Sequence, residues 1–477
     1  MIPALIRLQI QKWNNWLGHH PTLRRLQLIA LLRSIGQGFA AVETSLYLKD
    51  LGWSGASIGG LFAAAGLFRT LITTFTAEIN ALLGPKKYLL LYECLTAAAA
   101  LLVILSSGTV PLCLAVIIAG FGMGHSGSGG PAAPIERRWL GAFSRKLNIL
   151  FGKHALLGYA GMGIGALVAC LTPLLLAWLP DEKAYRLLFI LPALCAAAGA
   201  ALLLSIQGGA RRRAATAEES NLAASASATL SPSVKPVISR RKSLLLIGGV
   251  ILLGFLILFV RGKADLPLLS ALMPVLLFLL LIALALIRVA GGSPEEMAGM
   301  MNMVQTVAVT LTSTMSAYWF SERFQVSASE VGLVIALSYL LAGALSYALM
   351  HASERMGPIK PVVGMQLAGA ACVLLLPLTP SFVTAASLYV LSSMFNLGTR
   401  GTRYAVMMNE QPIRKQRTWS SRLASFLIRL GAVLWPGAFG RMIDEGEHML
   451  PFFLAAAIQL FSTWRYSKKE QTKAPLS

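Results

Sequence analysis

Residues 351–361 read HASERMGPIKP and interrupt the chain between two long apolar runs. A second interruption of the same kind, LLGPKKYLL, lies at residues 82–90. When the chain is shifted by 273 residues, the two interruptions align without a gap, together with several residues that precede them. The aligned pairs are Gly84 with Gly357, Pro85 with Pro358, Lys87 with Lys360, Ser54 with Ser327, Gly59 with Gly332, Ala63 with Ala336 and Leu67 with Leu340. This constant offset predicts that the chain consists of two structurally similar halves.

The composition is typical of an integral membrane protein. Hydrophobic residues make up 56% of the chain and charged residues only 13%, whereas a soluble domain carries roughly 25% charged residues. Apolar runs long enough to cross a bilayer as helices occur about fourteen times. They cover residues 26–48, 56–77, 88–106, 110–130, 156–177, 185–206, 244–260, 266–287, 300–320, 331–350, 362–378, 382–397, 423–439 and 451–464. We therefore predict an all-α polytopic membrane protein.

The repeat and the composition together divide the chain into segments. Each half is predicted to form a bundle of about six helices. The stretch between the halves begins with a sequence rich in Ala, Ser and Arg that lacks aromatic residues, which favours a flexible linker. The predicted segments are an amphipathic cytoplasmic segment at 1–25, the first bundle at 26–206, a basic cytoplasmic linker at 207–243, an extra transmembrane hairpin at 244–298, the second bundle at 299–467 and a cytoplasmic tail at 468–477.

The net charge of +21 is explained by membrane orientation rather than by nucleic-acid binding. If the N-terminus is cytoplasmic and the spans alternate, most lysines and arginines fall on the cytoplasmic side, as the positive-inside rule requires. We therefore expect both termini in the cytoplasm and no nucleic-acid partner. Short exposed loops favour the plasma membrane of a bacterium, where we expect a monomer in contact with the lipid bilayer.

The turn between the second and third spans resembles the signature of the major facilitator superfamily, G-x-x-x-[DE]-R-x-G-[RK]-[RK]. In the second half Glu354, Arg355 and Gly357 match it; the first half keeps Gly84, Lys86 and Lys87 but has Ala81 where the acid belongs. The resemblance implies two six-helix bundles that alternate in access, with these loop residues gating one face. GYAGMGIGAL is similar to the glycine-rich antiporter motif of that family, which implies helix packing at Gly158, Gly161, Gly163 and Gly165.

Polar residues on two of the predicted spans follow helical spacing and indicate a substrate cavity between the halves. The alternative is that the Ser, Thr and Gln side chains only form hydrogen bonds between packed helices. For Arg33 we favour the cavity, because a charge within a span is costly and usually functional. The candidate cavity residues are Arg33, Gln37, Thr44 and Tyr47 on the first span, Asn302, Thr306, Thr310 and Ser313 on the seventh core span, and Arg429 on the eleventh.

Two carboxylates within the spans are candidates for proton coupling, because a membrane-embedded carboxylate can bind and release a proton. Glu43 is the first choice and Glu93 the second. A structural ion pair of Glu43 with Lys49 is the alternative. We also expect that Arg429 faces an anionic substrate or pairs with Glu43 or Glu93, and that His125 either relays protons or ends a helix.

No soluble catalytic motif is present in the sequence. A Walker loop, HExxH and GxSxG are all absent, and the five cysteines form no CxxC pair, so we expect no cofactor and no metal. The resemblance implies proton-coupled export of a small organic compound. The alternatives are an uptake permease for a small, anionic solute, a transporter-like protein without activity, and a membrane enzyme that acts on lipids through Glu136, Arg137 and Arg138.

Overall fold

In the computed structural model, the secondary-structure elements of the described residues are all helices. The described residues are 16–18, 20–106, 108–124, 130–143, 146–173, 182–206, 277, 279–282, 284, 294–357, 359–410 and 419–473. The helices are α1 (Pro21–Asp50), α2 (Gly55–Thr74), α3 (Thr76–Leu105), α4 (Thr109–Ala119), α5 (Ala133–Gly141), α6 (Leu147–Ala169), α7 (Glu182–Leu187), α8 (Ile190–Leu204), α9 (Pro294–Ser313), α10 (Ser316–Phe324), α11 (Ala328–Met356), α12 (Ile359–Leu375), α13 (Phe382–Gly398), α14 (Arg400–Glu410), α15 (Trp419–Asp444) and α16 (Leu450–Lys473). A short 3-10 helix, Leu376–Leu378, follows α12.

Several predicted segments lie largely or wholly outside the described residues. These are the linker at 207–243, most of the hairpin at 244–298, most of the amphipathic segment at 1–25 and His125. In the described part of the chain, seven helical stretches are long and apolar enough to cross a membrane. The last helix continues to Lys473, so the predicted tail is helical over its first residues.

Two predicted spans differ from the helices that form. In the run at 110–130, α4 ends at Ala119, because Gly120 adopts a left-handed backbone with φ of 67°. The run at 300–320 is divided between α9 and α10. Around this division the hydroxyl groups of neighbouring residues donate to backbone carbonyls three or four residues earlier, which competes with regular helix hydrogen bonding. These residues are Thr310, Thr312, Ser313, Thr314 and Ser316.

The two halves share local backbone geometry at the predicted offset. Ser54 and Ser327 cap α2 and α11, and each side chain accepts a hydrogen bond from the backbone N–H three residues later. Gly84, which breaks α3 into two helical parts by a kink, has φ of 75° and ψ of 161°, and Gly357, which follows α11, has φ of 75° and ψ of 156°. This region is open almost only to glycine. The same residue types therefore start the same helix and make the same turn in both halves.

Helices of the two halves pack against each other most extensively along two contacts, α6 with α11 and α2 with α15. At the second contact a Cβ at Gly59 would overlap the backbone carbonyl of Pro436. Gly332, the repeat partner of Gly59, lies at the first contact, where a Cβ would be 2.9 Å from the Cys170 Sγ atom. Small residues at both sites let the helix backbones approach closely.

The glycines of α6 allow it to contact neighbours on two sides. A Cβ at Gly161 would lie 2.6 Å from the Leu31 carbonyl oxygen, and one at Gly165 would overlap the Ile35 carbonyl, so both face α1. Gly163 faces α11, where a Cβ would lie 2.6 Å from the Leu340 side chain. Gly158 is buried in the same helix. This helix therefore joins its own half to the opposite one.

Candidate functional site

A buried cluster of three charges lies inside the first half. Arg33 on α1 forms ion pairs with Glu93 on α3 at 2.7 Å and with Glu136 on α5 at 2.8 Å. The Arg33 side chain is 2% exposed and both carboxylates are fully buried. The guanidinium group also lies 5.5 Å from the centre of the Tyr92 ring. Because these charges are removed from water, they are tolerable only while all three remain paired.

The ion-pair partner of Glu93 is not the one that the sequence suggested. Glu93 binds Arg33, not Arg429, and Arg429 lies on α15, which packs against α2 and α9. Glu136 was a candidate only for a lipid enzyme, but its carboxylate is directed at Arg33. A free acid or base at the membrane surface, which that alternative requires, is therefore not provided by Glu136.

Glu43 is a buried carboxylate in a different environment. It is 1% exposed, and one of its oxygens accepts a hydrogen bond from the Thr172 hydroxyl at 2.8 Å. The other oxygen has no hydrogen-bond partner among the described residues. Lys49, the alternative partner, instead forms an ion pair with Glu322 at 2.9 Å and donates to Ser321. Within the described chain, Glu43 is thus held by a neutral hydroxyl group rather than by a cation.

The other predicted cavity residues of the first span contact other segments of the first half. Gln37 donates to the Ala119 carbonyl at 3.2 Å. Thr44 is fully buried and packs against Gly122, where an added Cβ would lie 3.2 Å from the Thr44 Cβ atom. The Tyr47 hydroxyl accepts from Arg186 at 3.0 Å. In this conformation these groups hold helices of the first half together.

The stripe on α9 is mostly self-bonded as well. Thr306 and Thr310 are half-buried and donate to backbone carbonyls of their own helix. Asn302 instead accepts a hydrogen bond at 3.1 Å from Arg403 on α14. Further buried amide and hydroxyl groups form a network around it inside the second half. They are Gln305, Asn396, Gln459 and Ser462, with Gln305 also bound to the Ser462 hydroxyl.

A cleft lies between the two halves, where α5 and α6 of the first half meet α14 of the second. The Arg137 guanidinium group stacks 3.8 Å from the centre of the Tyr404 ring, and Arg400 Nε donates to the Tyr404 hydroxyl at 3.2 Å. The Tyr159 ring stacks on Tyr339 of α11, with the ring centres 6.3 Å apart. The lining residues are Arg137, Phe151, His154, Ala155, Tyr159, Arg400, Gly401 and Tyr404. Both halves therefore supply basic and aromatic groups to one cleft.

None of these cleft side chains was among the predicted cavity residues. Their signals in the sequence were weak, because each charged residue lies near the end of an apolar run, where orientation alone explains it. The run TRGTRY at 399–404 and His154 within an otherwise apolar helix were the visible hints. Only the packing of α14 on α6 brings them together.

The predicted gating loops lie at the two glycine turns. Lys86 donates to the carbonyls of Leu204 and Ile206 at 3.1 Å and 2.6 Å, which links the first loop to the end of α8. Lys87 and Arg355 are exposed. The side chain of Glu354 lies outside the described residues, so its proposed latch role stays a prediction.

The opposite end of the molecule, which we name the Asp444 end, is closed by contacts between the halves. Asp444 on α15 accepts hydrogen bonds from the backbone N–H groups at the start of α2, at 2.9 Å from Gly55 and 2.8 Å from Ala56. The Lys49–Glu322 ion pair joins α1 to α10 at the same end. These contacts must break if this end is to open.

Three solved structures of transporters share this arrangement of helices, whereas no protein-family model and no curated protein matches the chain. A mutant of the nucleoside transporter NupG is 12% identical, with a TM-score of 0.54 over 93% of this chain and 98% of that one. A POT family transporter in complex with 5-aminolevulinic acid is 15% identical, with a TM-score of 0.61 over 96% and 98%. Tetrameric PepTSo2 is 13% identical, with a TM-score of 0.57 over 96% and 99%. The chain has the major facilitator fold.

This similarity confirms the predicted multi-pass, all-helical architecture of the major facilitator type. At these identities it establishes the fold alone. What the fold carries in this chain depends on the side chains placed inside it.

Proposed function

We propose that the protein is a secondary active transporter that exports a small organic compound in exchange for protons. The observation that supports this most strongly is a transporter fold, shared over more than nine-tenths of the chain, that contains buried ionisable groups. Such groups within membrane spans are costly and usually belong to substrate or ion pathways. Alternating access would proceed by rocking the two halves about the cleft between them.

Glu43 is the proposed proton-coupling group. Its carboxylate is buried, and its hydrogen bond from Thr172 leaves the second oxygen without a partner in the described chain. Glu93, the other candidate, is already held by Arg33. A carboxylate that has no cationic partner can exchange a proton without breaking an ion pair, and this favours Glu43.

The proposed transport cycle requires the Asp444 end to open and close. In the present conformation Asp444 and the Lys49–Glu322 pair hold the halves together there. Exposed or partly exposed ion pairs contribute only about 0–1 kcal/mol each, so a few such contacts can form and break as the halves rock.

Transport is tested with purified protein in liposomes that contain a pH-sensitive dye. A proton gradient is imposed and a panel of drugs, sugars, peptides and organic acids is added. We expect at least one compound to dissipate the gradient with wild-type protein and with Glu445→Gln, a control at a surface ion pair with Arg441, but not with Glu43→Gln. If Glu43→Gln couples protons as well as wild type, the assignment of Glu43 is wrong.

The direction of transport is measured in the same liposomes with the gradient reversed. Export predicts that substrate moves against the proton flow, whereas an uptake permease would move substrate with it. No response to any compound, in protein shown to be folded, would contradict proton-coupled transport.

A further inference from the structure

Two arginines from opposite halves, Arg137 and Arg400, line the cleft, and two more, Arg69 and Arg403, lie within electrostatic range of Arg400. Arg137 on α5 stacks on Tyr404, and Arg400 on α14 donates to the hydroxyl of the same tyrosine. Arg403, one turn further along α14, is 4% exposed. Arg69 on α2 lies within electrostatic range of Arg400 and Tyr404. Positive charge from three helices is therefore gathered in and around the cleft.

No carboxylate in the described part of the chain lies within ion-pair distance of these four arginines. The two buried carboxylates nearby, Glu93 and Glu136, are both bound to Arg33. Among the described residues, Arg403 donates hydrogen bonds to two neutral oxygens, the side-chain oxygen of Asn302 and the backbone carbonyl of Asn396. Arg403 is buried, and Arg69, Arg137 and Arg400 are half-buried. Placing several cations together where water is partly excluded is unfavourable unless an anion compensates them. The excess of positive charge indicates that an anion belongs in this place.

The cleft also contains a buried polar side chain that has no hydrogen-bond partner among the described residues. His154 on α6 is 2% exposed, and neither of its ring nitrogens is hydrogen-bonded to a described residue. It lines the same cleft as Arg137 and Arg400. Buried polar groups are nearly always hydrogen-bonded. The His154 imidazole, which lies in the same cleft as two guanidinium groups, is therefore available to form a hydrogen bond with a ligand.

In the present conformation this cleft has room for about one water molecule, so it must widen as the halves rock before it can admit a substrate. We propose that the widened cleft is the substrate site and that the substrate is a small organic anion with a carboxylate or phosphate group. Arg137 and Arg400 bind that group from opposite halves, since a guanidinium group matches the two oxygens of such an anion. His154 forms a hydrogen bond to the same molecule. This assignment rests on the proposed transport function and gives it a substrate class.

Binding is measured directly with purified full-length protein in detergent, by the shift in unfolding temperature and by titration calorimetry. Each anion is compared with neutral and cationic compounds of the same size: benzoate and phenyl phosphate against benzyl alcohol and benzylamine, and succinate against butanediol and putrescine. We expect stabilisation by anions only. The difference between the carboxylates and phenyl phosphate shows which group the site prefers. Stabilisation by none of the anions, or equally by the neutral compounds, would overturn the proposal.

Variants locate the site. Arg137→Gln, Arg400→Gln and His154→Leu are each expected to weaken anion binding about tenfold or more, as for the loss of a hydrogen bond to a charged group. Arg441→Gln, which removes a charge from a surface pair at the Asp444 end, should bind like wild type. Anion binding that is undiminished in both cleft arginine variants would place the anion elsewhere.

The unfolding temperature of the ligand-free protein tests the role of Arg400 independently of binding. Because Arg400 is one of several like charges that have no carboxylate partner in the described chain, Arg400→Gln should unfold at or above the temperature of the wild type. A clear decrease would show that Arg400 is a structural residue.

The two proposals fail in different ways. Anion binding at the cleft without any proton-coupled movement in liposomes would leave the site assignment standing and contradict transport. Proton-coupled movement of a neutral compound, unaffected by Arg400→Gln, would support transport and contradict the anionic substrate.

Discussion

The carboxylate of Asp444, on the last turn of α15, caps the helix that begins at Gly55 in the opposite half. One oxygen accepts from the Gly55 N–H at 2.9 Å and the other from the Ala56 N–H at 2.8 Å. The Tyr318 hydroxyl donates to the carboxylate as well. The start of a helix carries partial positive charge and unsatisfied N–H groups, so an anion is favoured there. A side chain of one half thus completes a helix of the other.

Replacing Asp444 with asparagine should loosen this end. The amide keeps one acceptor but loses the charge and the second acceptor, and a hydrogen bond to a charged group contributes about 1.5–3 kcal/mol. We expect longer and broader distances between spin labels at Val110 and Val383, which lie at the starts of α4 and α13 in opposite halves. The labels require a variant that lacks the native cysteines.

Glu445→Gln is the control for this measurement, because Glu445 pairs only with Arg441 of its own helix end among the described residues. Distances in that variant should match those of the unsubstituted protein. If Asp444→Asn leaves the distance distribution unchanged, the cap does not hold this end closed.

Neighbouring glycines on α2 provide a matched test of the contact between the halves. A Cβ at Gly59 would overlap the Pro436 carbonyl, whereas one at Gly60 would meet nothing within 4 Å. Gly59→Ala should destabilise the protein by about 1–3 kcal/mol through overpacking, and Gly60→Ala should be neutral or stabilising by up to about 1 kcal/mol. Thermal unfolding in detergent compares them. Equal effects of the two substitutions would argue against a close α2–α15 contact.

The two glycine turns should respond alike to substitution. Gly84 and Gly357 both have φ of 75°, and a Cβ at either would meet nothing within 4 Å. Gly84→Ala and Gly357→Ala should therefore each cost about 1–3 kcal/mol through backbone strain alone. Gly364→Ala on α12, where space is equally open and the backbone is helical, is the control and should not destabilise. The unfolding temperatures of the three variants test this prediction. If Gly357→Ala unfolds at the same temperature as the wild type, the backbone at Gly357 does not have the strained geometry described above.

Neutralising Arg33 alone should be more harmful than neutralising its whole cluster. Arg33→Gln leaves Glu93 and Glu136 buried without their cation, and breaking such a pair costs about 3–5 kcal/mol. The triple variant with Glu93→Gln and Glu136→Gln removes all the buried charge and should recover much of the loss. Unfolding temperatures provide the comparison. A triple variant less stable than the single one would show that the ion pairs themselves stabilise the fold.

The architecture was largely predictable from the sequence. The offset that pairs Ser54 with Ser327 and Gly84 with Gly357 predicted two similar halves, and the backbone shows equivalent helix caps and turns at these positions. The helix ends were less predictable where Gly120 and the hydroxyl-rich stretch around Ser313 stop helices inside apolar runs. Hydropathy measures transfer into lipid, not the local hydrogen bonding that ends a helix.

The candidate site was only partly predictable. Arg33 was predicted to line the cavity and Glu93 to couple protons, but neither their ion pair with each other nor the ion pair of Arg33 with Glu136 was predicted. The sequence does not show which basic residue lies next to which carboxylate in the folded protein. It therefore left Arg429 as a possible partner of Glu43 or Glu93, and Lys49 as a possible partner of Glu43. The cleft lined by Arg137, His154 and Arg400 was not predicted. The positive-inside rule already accounted for its arginines, because they lie near the ends of membrane spans.

The sequence by itself determined that this is a membrane chain of two similar halves, because hydrophobic length, glycine turns and helix caps act over a few neighbouring residues and recur at a fixed offset. Only the tertiary structure decided which charges meet. The partners of Arg33 lie 60 and 103 residues away, and Asp444 lies 389 residues from Gly55. Such pairings depend on how each helix is rotated and packed against its neighbours, which no local preference specifies.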